Sequence, residues 1–176
     1  IDHRRKKLQA KIVYYGPGLC GKTTNLEYIS QTVASDQEMM SLATDGDRTI
    51  FFDFMHLDLG KIRGLDTAFK LYTVPGQVQY SSTRKLVLKE VDGLIFVADS
   101  LEVRREKNML SLKDLHENLK LYGTSIFKVP LVMQYNKRDL EEEGIPLMPI
   151  ERMARDLNRH LKAPYFPASA IKGQGV

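Results

Sequence analysis

The chain has 176 residues, enough for one compact domain with a sizeable core. Hydrophobic residues make up 43% and charged residues 27%, and no apolar run reaches the roughly 20 residues a membrane helix needs, so no integral membrane segment is expected. The net charge of +4 reflects a local excess, "HRRKK" at residues 3–7. It reads first as a solvated terminus and second as a contact for an acidic partner or lipid headgroups. No nucleic-acid partner is expected. The single cysteine, Cys20, excludes an internal disulfide and, with no secretory apolar region in view, fits a reducing cytoplasm.

Strand-like and helical patterns alternate along the chain. "KIVYY" (11–15) is a short buried strand stopped by Gly16, and a helix opening near Gly21 would carry Leu26, Ile29 and Val33 on one face. Residues 35–47 read as a long loop, a length that is uncommon without a function. The runs 49–59 and 66–74 flank "GKIRG" and predict an antiparallel hairpin; 74–82 is loop-like. "DGLIFVADS" (92–100) and "VPLVMQYN" (129–136) are continuous apolar runs, as strands buried on both faces require. Met109, Leu112, Leu115, Leu119 and Tyr122 recur at helical spacing, as do Ile150, Met153, Leu157 and Leu161, and 163–169 is a last short strand. The order βα, ββα, βα, βα, β gives a three-layer α/β fold with a mostly parallel sheet and one antiparallel strand. The whole of 1–176 reads as one domain. A helix is expected to cover the sheet after the last strand, and it is absent before Val176.

Residues 16–23, "GPGLCGKT", match G-x-x-x-x-G-K-[ST] between a strand and a helix. Glycines there let backbone N–H groups turn around phosphate oxygens, and the helix start adds unpaired donors and a positive dipole end. The candidate phosphate contacts are Gly16, Gly18, Leu19, Cys20, Gly21, Lys22, Thr23 and Thr24. Lys22 would reach the terminal phosphates and the Thr23 hydroxyl would ligate Mg²⁺. Cys20 at a helix start raises a redox reading through a lowered pKa, but loop filler is the simpler account.

"NKRD" (136–139) follows the apolar run 129–136 and so falls at a strand's C-terminal end, the ligand edge of an open sheet. The Asp139 carboxylate would accept from the N1–H and 2-amino group of guanine, a donor pair adenine lacks. A site built on that pair strongly rejects the wrong base. Asn136 would brace the loops and the Lys137 stem would lie over the base. "SAIK" (169–172), with Ser169, Ala170 and Ile171, would offer the Ala170 N–H to the guanine oxygen.

These motifs in this order, with a hairpin between them, resemble the P-loop NTPase fold of Ras-superfamily small GTPases. "KIVYYGPGLCGKTTNLEYI", "DRTIFFDF", "LYTVPGQ", "DGLIFVADS" and "QYNKRDL" resemble the MglA-type polarity and gliding GTPases of bacteria, over nearly the whole chain. The usual D-x-x-G-Q is here "TVPGQ", with Thr73 in the place of the aspartate that normally helps hold Mg²⁺. Asp53 on the neighbouring strand is either its stand-in or an ordinary strand residue.

The chemistry such a protein performs is mainly positioning and charge stabilisation. Gln77 would orient the attacking water and Gly76 would give its N–H to the γ-phosphate. Thr49 would ligate Mg²⁺ and sense the γ-phosphate. The resemblance implies that Arg48 acts as an arginine finger in cis; the plainer reading is a surface arginine beside Thr49. It also implies a shift of strand register between nucleotide states, front–rear polarity or motility as the process, an MglB-type roadblock-domain activator, and recruitment from the cytoplasm to a pole or membrane surface. Three function classes stay open: a GTP-hydrolysing switch with state-specific effectors, a nucleotide-holding interaction module with little hydrolysis, and, far behind, a small-molecule kinase. Thr73 favours the second, whereas Arg48 and Gln77 favour the first.

Overall fold

The computed structural model describes residues 6–33, 39–42, 52–76 and 80–176. The expected Arg48, Thr49 and Gln77 therefore lie outside the described residues. Seven strands form one sheet in the order β2-β3-β4-β1-β5-β6-β7. Strand β1 (Lys7–Tyr15) lies at its centre, between β4 (Leu65–Thr73) and β5 (Gly93–Asp99), parallel to both. Strands β6 (Leu131–Asn136) and β7 (Tyr165–Pro167) extend the parallel side. On the other side β3 (Phe52–Ile62) runs antiparallel to β4, and β2 (Met40–Leu42) runs antiparallel to β3. Strand β3 is thus the one reversed strand, as the hairpin signal required.

Alternation along β1 makes both faces of the sheet. Val13 and Tyr15 join a core with Phe96, Met133 and Leu115, while Tyr14 joins the opposite core with Leu26, Met55 and Val97. Helix α1 (Lys22–Thr32) packs Leu26 on the second face. Helices α2 (Ser81–Leu88), α3 (Arg105–Lys120) and α4 (Ile150–Leu157) pack Val87, Leu115, Leu119 and Met153 on the first. The result is helix, sheet, helix.

Several boundaries differ from the sequence reading. The hairpin turns at Arg63 and Gly64, both with φ in the left-handed region (50° and 80°), so "GKI" belongs to β3 rather than to the loop. A two-residue turn with positive φ matches the twist of the flanking strands. Met40–Leu42 form an edge strand inside the expected long loop, because three residues are too few to show periodicity. Val33 caps α1 and is 65% exposed, so it leaves the apolar face expected of it. Tyr122 and Leu161 lie beyond the ends of α3 and α4.

Candidate functional site

The C-terminal ends of β1, β4, β5 and β6 open onto one cavity of about 1400 Å³, ample for a nucleotide. At its centre residues 16–21 leave β1 and enter α1. Gly21 caps α1 with φ 101°, and a Cβ there would lie 2.2 Å from Asn136 Nδ2. Only glycine fits that conformation and that approach. The N–H groups of Gly18, Leu19 and Gly21 have no acceptor among the described residues. Those of Lys22, Thr23 and Thr24 are first-turn donors without intrahelical partners, at the positive end of the helix dipole. Converging donors of this kind suit a polyphosphate.

Lys22 is 7% exposed, and its ammonium donates to the carbonyls of Gly16 (3.0 Å) and Pro17 (2.7 Å). The chain thus holds the charge inside the loop. Cys20 and Ser169 do not line the cavity; both are fully buried. Burial pushes the Cys20 thiol above its ordinary pKa, against the smaller pull of Lys22. The helix start does not make it a thiolate, and the redox reading is withdrawn.

The Thr73 substitution resolves into a three-residue cluster. Asp53 Oδ2 accepts from Thr23 Oγ1 (2.6 Å) and Thr73 Oγ1 (2.8 Å), and Thr73 Oγ1 accepts from the Asp53 N–H (2.9 Å). A hydroxyl at position 73 orients the carboxylate of the next strand toward the foot of the phosphate loop. Mg²⁺ takes hard oxygen ligands, usually one or two carboxylates with phosphates and waters. Thr23 and Asp53 fit that donor set. No group of three or more acidic, His or Cys side chains that could hold a metal occurs among the described residues, so no all-protein cage competes with it.

Gly76 lies against the phosphate loop: a Cβ on it would fall 2.1 Å from Gly18 N. Asn136 packs against the phosphate loop from the end of β6. Its Nδ2 donates to the Cys20 carbonyl (2.8 Å) and its Oδ1 accepts from the Ala170 N–H (2.8 Å). One buried amide thus joins the loops carrying "GPGLCGKT", "NKRD" and "SAIK". That bond also occupies the Ala170 N–H expected to face the guanine oxygen; the adjoining Ile171 lines the cavity with its side chain 73% exposed. Asp139, on a 3₁₀ turn (Arg138–Glu141), borders the cavity with a carboxylate that accepts from no described residue.

Two residues here escaped the sequence reading. Asp99 ends β5 fully buried and pairs with Lys137 (2.8 Å) and Arg104 (3.5 Å). A carboxylate closing an otherwise apolar run at a strand's C-terminal end was the available signal. Arg104 lay in a charged stretch with nothing to single it out.

The profile of the ADP-ribosylation factor family matches residues 2–176. The chain belongs to this family. It is also 51% identical, across its whole length and 89% of the relative, to the mutual gliding-motility protein MglA of Myxococcus xanthus (strain DK1622). The chain is an MglA-type small GTPase, a GTP-binding enzyme that hydrolyses GTP. No helix among the described residues is long and apolar enough to cross a membrane.

Proposed function

We propose that the chain is a GTP-driven switch in bacterial motility and polarity, held slow until an activating protein engages it. One observation carries the reading. The Asn136 amide ties the phosphate loop to the loops carrying "NKRD" and "SAIK", and the Thr23–Asp53 pair and Asp139 line one cavity. A hydroxyl–carboxylate pair and a second carboxylate around one cavity support a nucleoside polyphosphate and give little purpose to a kinase acceptor site.

In this reading the cavity-lining residues of 16–24 hold the phosphates, Asp139 and the Lys137 stem with the Ala170–Ile171 loop hold guanine, Asn136 braces the loops, and Thr23 and Asp53 hold Mg²⁺ with Thr49. The bound nucleotide supplies the transferable γ-phosphoryl group and Mg²⁺ spreads its charge. Gln77 orients water, the Arg48 guanidinium neutralises developing charge, and Gly76 and Thr49 sense whether the γ-phosphate is present. An MglB-type roadblock-domain protein is the proposed activator, with effectors that read one nucleotide state in the cytoplasm or at a pole. The gliding-motility name of the Myxococcus relative supports the process, and the close approach of Gly76 to Gly18 supports the switch.

The test is to denature the purified protein, identify the released nucleotide, and then time GTP turnover with and without a roadblock-type partner. A guanine nucleotide and partner-stimulated turnover are expected. Release of an adenine nucleotide, or turnover indifferent to every such partner, would overturn the reading.

A further inference from the structure

Arg104 sits on the short 3₁₀ turn (Glu102–Arg104) between β5 and α3, far in sequence from the phosphate loop, with its side chain 16% exposed. Its guanidinium makes two contacts at once. Nε lies 3.5 Å from the Asp99 carboxylate, and Nη2 donates to the Gly18 carbonyl. Asp99 is fully buried and also takes the Lys137 ammonium at 2.8 Å. One carboxylate under the cavity floor therefore holds a cation from the base loop and a cation that grips the phosphate loop.

The grip has a directional consequence. In a trans peptide the carbonyl of one residue and the N–H of the next point opposite ways. With the Gly18 oxygen drawn toward Arg104, the Leu19 N–H is turned away from Arg104, in a loop whose Gly18, Leu19 and Gly21 line the same cavity as Arg104. That N–H has no acceptor among the described residues. Leu19 is also a non-glycine residue at φ 65°, a conformation that costs energy and persists only when its surroundings impose it. Its side chain is 85% exposed, so packing does not impose it. The bond from Arg104 fixes the peptide that precedes Leu19, beside the grips of Lys22 on the Gly16 and Pro17 carbonyls and of Asn136 on the Cys20 carbonyl.

We propose that Arg104 is a positioning residue of the phosphate cradle: it fixes the Gly18–Leu19 peptide so that the Leu19 N–H faces the nucleotide's phosphates, and through Asp99 it couples that peptide to Lys137 on the base side. This rests on the nucleotide-switch reading. Arg104 itself touches no phosphate in this arrangement. Its effect is on nucleotide retention, and the site it serves carries one more cation than the carboxylate neutralises, which suits a polyanion.

The experiment loads the full chain with fluorescent GDP and Mg²⁺ and follows release on adding excess GDP, with phosphorus NMR of bound GDP alongside. Arg104→Ala is expected to release GDP about tenfold faster, equivalent to ~1.4 kcal/mol. Arg104→Lys keeps the charge near Asp99 but loses the fork, and is expected to fall between Ala and wild type. Both variants should displace the β-phosphate resonance. Arg105→Ala, which breaks only the neighbouring pair with Asp156 (2.7 Å), should match wild type in both measurements. Release within twofold of wild type in the Arg104 variants would overturn the inference while leaving the GTPase intact. Faster release with an unmoved β-phosphate resonance would also overturn it, since the effect would then lie elsewhere. Should Arg104→Ala fail to fold, Arg104→Lys alone decides by the same two criteria. A wild-type chain that retains no GDP would overturn the nucleotide reading, and this inference with it.

Discussion

Asp53 has two hydroxyl donors on one oxygen, Thr23 from the helix start and Thr73 from the adjacent strand. The first sets its carboxylate beside Thr23, the hydroxyl proposed to ligate Mg²⁺; the second shows how a chain with threonine at 73 still presents a carboxylate there. Asp53→Asn should raise the Mg²⁺ concentration needed for half-maximal GDP retention by about tenfold, or ~1.4 kcal/mol. Adding Thr73→Asp to that variant should recover part of the loss, because it restores a carboxylate at the usual position. Thr73→Asp alone should weaken the protein, since two carboxylates in hydrogen-bond range cannot both ionise cheaply. Retention measured across a Mg²⁺ series decides, and indifference of Asp53→Asn to Mg²⁺ would make Asp53 an ordinary strand residue. The unengaged Asp139 carboxylate predicts selectivity. Asp139→Ala should weaken GDP binding by more than about tenfold in a calorimetric titration. Equal affinity in wild type and variant would remove Asp139 from the base site.

Elements are held to the site by a second polar network that no motif announced. Tyr15, the last residue of β1, donates its hydroxyl to Asp114 of α3. The same Asp114 oxygen takes Arg84 Nε from α2 (2.8 Å) and Asn118 Nδ2 (3.1 Å), and Arg84 Nη1 reaches the Pro75 carbonyl (3.3 Å). Burial, with Asp114 second, raises the Tyr15 pKa far above the ordinary tyrosine value, so its hydroxyl stays a donor. Strand β1, helices α2 and α3, and the segment leading to Gly76 are therefore fastened together. Asp114→Asn should lower stability by about 1–3 kcal/mol, as it strips a charged partner from an Arg84 side chain that is 8% exposed. Urea unfolding measures this, and an unchanged midpoint would show that the network adds nothing. The contrast with the phosphate loop shows what sequence can carry. The succession of elements along the chain, the reversed β3, and the meeting of "GPGLCGKT" with "NKRD" were legible because backbone demands and apolar runs leave local signatures, whereas the lateral order of the strands was not. The Asp114 network and the Arg104 contact were not, because their members look like ordinary polar or charged residues until the fold assembles residues up to 103 positions apart. Met40–Leu42 escaped for a different reason: an edge strand of three residues is decided by its neighbour, not by its own pattern.

Across the whole molecule, the phosphate loop is the point on which the other parts converge. Asn136 holds it from the "NKRD" loop, Arg104 from the turn before α3, and Gly76 packs on it from the segment after β4. The proposed arginine finger, Arg48, lies five residues before Asp53 in sequence, and the Asp53 carboxylate accepts from Thr23. Most related GTPases receive that arginine from outside, and its absence costs a large factor in rate. With a cis arginine, an activator needs only to hold the loops in the competent arrangement. Turnover alone should then be slow, because the unassisted loops rarely adopt it. A roadblock-type partner should raise the rate many-fold even after each arginine on its contact face is replaced by alanine. Arg48→Ala should abolish the stimulation while the complex still elutes intact in size-exclusion chromatography, and Gln77→Leu should do the same while preserving GTP binding. Stimulation that survives Arg48→Ala, or that is lost with a single activator arginine while binding persists, would place the finger in trans.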